Sequence, residues 1–319
     1  MTTLRSEPAA SRGFRILAAA CAVLIVVLIG TGSSVRVTGS GMGCLDDWPL
    51  CHGRLLPPLE FTAIVEWLHR ATTATVTWPL LAMTLLAWRR YRHDRAILLP
   101  ALAAPVFLAI QIALGAIVVK LVLPPALVAI HMANAMLVLA AVSATAAAAW
   151  RPLGAPRGEL GSLARWATAG AALTYAQIVL GSVMVHVGAS GACAGFPQCS
   201  GEWLPAGSAQ LIHMSHRALG TLAALAALAG LWQAWRAGPA ARGWATWSLA
   251  LVALFAVQIT LGASNILYGF PRGVNVAHLT VAAALWAMQV ALATGTALAL
   301  RPAAETRPRA AREAAARAT

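Results

Sequence analysis

Charge is what this chain has least of. Only 10% of its 319 residues are Asp, Glu, Lys or Arg, and 60% are hydrophobic. A soluble globule carries about a quarter charged residues, so that class is excluded and an integral membrane protein is expected. No convincing small-residue cleavage pattern follows the first apolar run, which argues against a removable signal peptide. Carboxylate or thiolate clusters beside the membrane-embedded histidines are missing too, and with them the roughly four-ligand set that a zinc site needs.

What is present is long neutral sequence. Between charges lie the runs 16–35, 71–88, 96–119, 121–150, 166–201, 218–235, 243–271 and 273–300. Each approaches or exceeds the ~20 apolar residues that cross a hydrocarbon core. The expected fold is an all-α polytopic membrane protein with eight transmembrane helices. A net charge of +13 is of the kind nucleic-acid-binding proteins carry, but the placement of the basic residues argues against such a partner. Arg5, Arg12, Arg15, Arg89, Arg90, Arg92, Arg95, Arg151, Arg157, Arg165, Arg236, Arg242 and the five arginines from Arg301 onward all fall on one side of the alternating loops. By the positive-inside rule that side is the cytoplasm, and both termini are expected there. Only Arg36, Arg54, Arg70, Lys120, Arg217 and Arg272 lie in or beside the opposite loops.

The sequence also repeats itself. EWLHR at 66–70 matches HMSHR at 213–217, QIALGA at 111–116 matches QITLGA at 258–263, and IHMANA at 130–135 matches AHLTVA at 277–282, all at one offset. WPLCHG at 48–53 matches FPQCSG at 196–201, and VRVTGSG at 35–41 matches VHVGASG at 185–191. Two copies of a four-helix unit are expected, with a half at 1–150 and a half at 151–319 that includes a cytoplasmic tail. Four is even, so the copies are parallel repeats about an axis along the membrane normal. Two four-helix bundles side by side follow.

The repeat pairs His69 with His216 and His131 with His278. All four fall early in helices that run from the outside inward, at similar depth. Polar residues in a membrane helix face the bundle interior. One such histidine alone reads most simply as hydrogen-bonded core, but two facing pairs at matched depth point to ligands. Two imidazoles suffice for a haem, which brings its own four equatorial nitrogens. Arg36, Arg70 and Arg217 are candidates for propionates, with interfacial snorkelling as the alternative. His186 matches Arg36 in the repeat and reads as an interfacial residue or a propionate contact. His213 replaces Glu66 in the second copy, one turn outward from His216. His52 and His93 fall in loops, and Cys21 reads as a buried thiol. The pairs Cys44/Cys51 and Cys193/Cys199 lie in the longer outer loops, on the oxidising side where disulfides persist. They read as loop staples, with a redox role open for the first pair, which brackets Asp46 and Asp47.

Together TGSGMGCLDDWPLCHG, EWLHR, the HMANA histidine, GACAGFPQCSGEWLP, HMSHR and the VAHLT histidine resemble the haem A synthases of cytochrome oxidase assembly. They span both halves in order. The resemblance implies an enzyme that oxidises the C8 methyl of haem O to the formyl of haem A through a hydroxylated intermediate. It implies a substrate haem bordered by His69, His131 and Arg70, and a haem b cofactor on His216 and His278. Glu66 matches the family's catalytic carboxylate, and Cys44–Cys51 and Cys193–Cys199 match its loop disulfides. A haem O synthase partner and an electron acceptor are implied as well, with oligomeric state open. The extra Asp in CLDDWPLC bears on partner contact. The competing class is a bis-His dihaem electron-transfer protein, which would place its haems at two depths.

Overall fold

The computed structural model describes residues 10–150 and 160–300; Arg5, Arg151, Arg157 and the tail from Arg301 lie outside them. Eight long helices make up most of the described chain: α1 Arg12–Val37, α2 Phe61–Arg90, α3 Arg95–Lys120, α4 Pro125–Trp150, α5 Gly161–His186, α6 Ser208–Arg236, α7 Arg242–Leu267 and α8 Arg272–Ala299. Each holds a stretch long and apolar enough to cross a bilayer. The chain is a multi-pass membrane protein.

Several boundaries differ from those read off the charges. The second helix begins at Phe61 and the sixth at Ser208, so EWLHR and HMSHR lie inside helices. The neutral run 166–201 is helical only to His186. The reason is physical: these helices are 26–30 residues long, longer than the hydrocarbon core requires, and their outer turns carry polar residues. Local chemistry sets other ends. Ser11 Oγ accepts from the Phe14 N–H at the start of α1, and Asp94 caps α3 by accepting from Ala96 N–H. After α1 and α5 the chain turns through Gly39 and Gly188, both at positive φ, into short 3-10 turns at Ser40–Met42 and Ala189–Gly191.

Within 10–150, α1 packs on α2 and α4, and α3 packs on α2 and α4. Within 160–300, α5 packs on α6 and α8, and α7 packs on α6 and α8. Each set closes as a ring of four in which α2 and α4, or α6 and α8, stand diagonally. Contacts between the sets run through α1–α8, α4–α8 and α4–α5. Trp286 Nε1 donates to the Met136 carbonyl at 2.7 Å across this seam, and the Tyr175 ring stacks at a tilt on Trp286. Exposed tryptophans 88, 150, 166, 232, 235 and 247 gather at the helix ends that also carry most of the arginines, as interfacial aromatics do.

Candidate functional site

At the opposite helix ends the two disulfide loops fold alike. The sulfurs of Cys44 and Cys51 are bonded, as are those of Cys193 and Cys199. Each loop closes with a small bridge, Cys51 with Arg54 and Cys199 with Glu202, and each contains a cis X-Pro bond, Trp48–Pro49 and Phe196–Pro197. The arginine at the end of each repeated motif holds its loop. Arg70 Nη1 donates to the Asp47 and Leu50 carbonyls at 2.8 and 2.7 Å. Arg217 donates to Gly195, Pro197 and Gln198 carbonyls at 2.8–3.1 Å. Charge-assisted bonds of this kind are worth about 1.5–3 kcal/mol each, so both guanidiniums pin the disulfide loops to the helices below. The loop also presses on α2 closely: a Cβ at Gly43 would run into the Thr62 backbone.

Glu66 belongs to the first of these clamps. Only 3% exposed, it accepts from Arg70 Nη2 through Oε1 at 2.5 Å and from the Cys44 N–H through Oε2 at 2.9 Å. Glu66 and Arg70, one turn apart, thus form an i,i+4 ion pair. The carboxylate also lines the central cavity. His213, at the matching place, is equally buried, and its Nδ1 has no hydrogen-bond partner.

That cavity, about 1800 Å³, is lined by both halves. Pockets for one drug-sized ligand run to roughly 300–1,000 Å³, so the space suits two large ligands better than one. His69, His131, His216 and His278 all line it, as do Arg36, Arg70, Arg217, His186 and His213. His69 and His131 project from diagonal helices α2 and α4, and His216 and His278 from α6 and α8. Each pair thus lines the shared cavity from diagonal helices. Arg36 donates to Asn275 at 2.7 Å and thereby joins α1 to α8; His186 Nδ1 donates to the Ser182 carbonyl at 2.7 Å.

Every one of the four imidazoles rests against a glycine of a neighbouring helix. A Cβ at Gly32, Gly115, Gly181 or Gly262 would approach the Cε1 of His69, His131, His216 or His278 to 3.1, 3.3, 2.8 or 3.1 Å. Side chains there would push the rings away. The Nδ1 of His216 donates to the Gln177 carbonyl at 3.0 Å, which leaves Nε2 as the free lone pair. Thr31 gives its own hydrogen to the Leu28 carbonyl and so accepts from His69 Nδ1, 3.0 Å away. Gln111 and Gln258 approach the Nε2 of His131 and His278 at 2.9 and 3.3 Å, and the Nδ1 atoms of both rings are buried without partners. The free Nε2 atoms of His69 and His216, on glycine-cleared rings that line the cavity, fit haem ligation. Among the described residues no three His, Cys, Asp or Glu side chains converge as a metal cluster, in keeping with a ligand that brings most of its own coordination.

The structure thus gathers all the sequence-selected histidines and arginines around one cavity. His52, exposed in the first loop, has Nε2 3.0 Å from the Gly43 carbonyl, and His93 lies against Arg92 on the far side. Cys21 is a buried free thiol. Thr31, Asn134, the two glutamines and the four glycines were not singled out as site residues by the sequence. The glutamines and two of the glycines do stand in the QIALGA and QITLGA repeat, which could have marked them.

The family described as COX15-CtaA, cytochrome oxidase assembly protein, matches residues 15–65 and 59–290. A heme A synthase of Bacillus licheniformis is 33% identical over 201 residues, 61% of this chain and 66% of that protein. The Bacillus pumilus heme A synthase is 34% identical over 211 residues, with the same coverage of each chain. These two alignments span just under two thirds of the relatives' length. The Halalkalibacterium halodurans heme A synthase is 28% identical over 285 residues, 86% of this chain and 94% of the relative.

Proposed function

The chain belongs to the COX15-CtaA family of cytochrome oxidase assembly proteins, and on that premise we propose that it is a haem A synthase. It oxidises the C8 methyl group of haem O to a formyl group, by way of a hydroxylated intermediate, for delivery to terminal oxidases. The observation that carries this reading is an asymmetry within a symmetric frame. Both halves present a diagonal histidine pair to the same cavity, but only the first adds a buried carboxylate, Glu66. A dihaem electron carrier has no need of that difference.

In this reading 1–150 is the substrate half and 151–319 the cofactor half, related as parallel repeats with both termini cytoplasmic. The cavity and disulfide loops then face the extracytoplasmic side. His69 and His131 border haem O, and His216 and His278 hold haem b, which when bound would supply one-electron redox capacity beside the substrate. The chain's own contribution is placement and electrostatics. Glu66 is fixed at both oxygens, by Arg70 and by the Cys44 amide. A negative end held so firmly suits stabilisation of positive charge developing on the substrate, with proton uptake as its second use. Arg70, bound to loop carbonyls, positions Glu66 and the loop; Arg36, Arg217, His186 and His213 border the cavity where propionates and ligated rings would lie. Haem O comes from a haem O synthase, and the electrons leave to an acceptor.

The test is conversion. Membranes of a host that makes haem O but no haem A should accumulate haem A when this chain is expressed. Haem O left unchanged, with the protein present and folded, contradicts the proposal.

A further inference from the structure

In the first half a run of hydrogen bonds ends on His131, and its direction is fixed from the backbone outward. The Phe107 carbonyl can only accept, so the Asn134 carboxamide turns Nδ2 toward it at 2.9 Å. The same nitrogen donates to Gln111 Oε1 at 2.7 Å. Gln111 is thereby oriented with its own Nε2 toward His131 Nε2, 2.9 Å away. An amide nitrogen has only hydrogens to offer, so His131 Nε2 is the unprotonated nitrogen and its lone pair is taken. That lone pair is the one an iron needs.

The second half lacks this arrangement. Val281 stands at the place of Asn134, and Leu254 at the place of Phe107. Gln258 Oε1 is buried with no partner, and its Nε2 lies at a longer 3.3 Å from His278 Nε2. Among the described residues only His278 itself engages the Gln258 carboxamide, with no counterpart of Asn134 to fix its orientation, so it can turn and leave the His278 lone pair to a ligand. The two histidine pairs, alike in position, differ in how strongly a neighbour competes for the ligating nitrogen.

We propose that Asn134, acting through Gln111, is a positioning residue that makes His131 a weak axial ligand, so that the haem of the first half exchanges while the haem of the second half stays. This rests on the reading of the first half as the substrate site. Substrate must enter and product must leave there, and a competing donor on one ligand lowers the barrier to both.

The experiment uses the purified full chain loaded with haemin and mixed with excess apomyoglobin, with haem transfer followed optically. Wild-type protein should show a fast phase from the first half and a slow phase from the second. Asn134→Val, which copies the second half, should slow the fast phase at least about twofold, the lower end of what one hydrogen bond is worth. Gln111→Leu removes the competing donor itself and should act in the same direction. In both variants the slow phase and the low-spin haem spectrum should stay as in wild type. An unchanged fast phase in both variants overturns the proposal, as does a matching change in both phases, which would mean general loosening. A wild-type protein with no fast phase overturns the substrate-site reading itself, and the relay with it.

Discussion

Replacing Glu66 with glutamine should leave the protein folded, inserted and carrying its haem b, yet cut haem A production by about 100-fold or more, the scale on which loss of one preorganised electrostatic group is felt. The contacts explain why the two effects separate. A glutamine keeps a carbonyl oxygen for the Cys44 N–H, which Glu66 now meets at 2.9 Å. Arg70 loses its ion pair but retains the Asp47 and Leu50 carbonyls, so the disulfide loop stays anchored. An exposed i,i+4 pair contributes about 0.5 kcal/mol or less; this one is more buried, but it is backed by those further bonds. The second half, moreover, builds the same clamp with His213 where the carboxylate would be. The fold does not need a negative charge at this place, and the proposed chemistry does. A hydroxylated haem accumulating in the variant would locate the defect after the first oxidation. Haem A yield equal to wild type would reduce Glu66 to a loop anchor.

His216→Ala and His278→Ala should each abolish the low-spin bis-His spectrum of the purified protein. Losing a direct ligand should weaken haem retention beyond the roughly 10–100-fold that loss of an outer-shell partner costs. Their surroundings place both rings at the shared cavity. His216 has its Nδ1–H on the Gln177 carbonyl, and both rings rest on glycines that leave no room for a side chain. The same substitution at His69 or His131 should leave that spectrum in place, because those rings serve the other site. If both second-half variants keep the full spectrum, the cofactor assignment falls. If all four variants lose it equally, the division of labour between halves falls instead.

Much of this site was legible without coordinates, because membrane burial makes polar residues conspicuous. His69, His131, His216 and His278 stand out in apolar sequence, and their recurrence at one offset separates ligands from isolated polar contacts. Helix number was equally plain from the neutral runs. Helix ends were not: a charge in the sequence does not end a helix longer than the bilayer is thick, so Glu66 and Arg70 fell outside the neutral run and inside α2. The arginines were legible as interfacial but not as loop clamps, because their partners are backbone carbonyls 20–23 residues away, and carbonyls have no sequence signature. Asn134 and Thr31 were hidden for a related reason. Each acts on a histidine through a contact between helices, Thr31 directly and Asn134 through Gln111, and neither has a like residue at the matching place in the other half.

The central claim is that one frame holds two unlike haem sites, one for a cofactor and one for a substrate. Quantitative extraction of haem from protein purified out of a host that makes haem O tests it most directly. About one equivalent of haem b should survive purification, together with a smaller and variable amount of haem O or haem A. Two equivalents of haem b, with neither haem O nor haem A, would contradict it and identify a dihaem electron carrier.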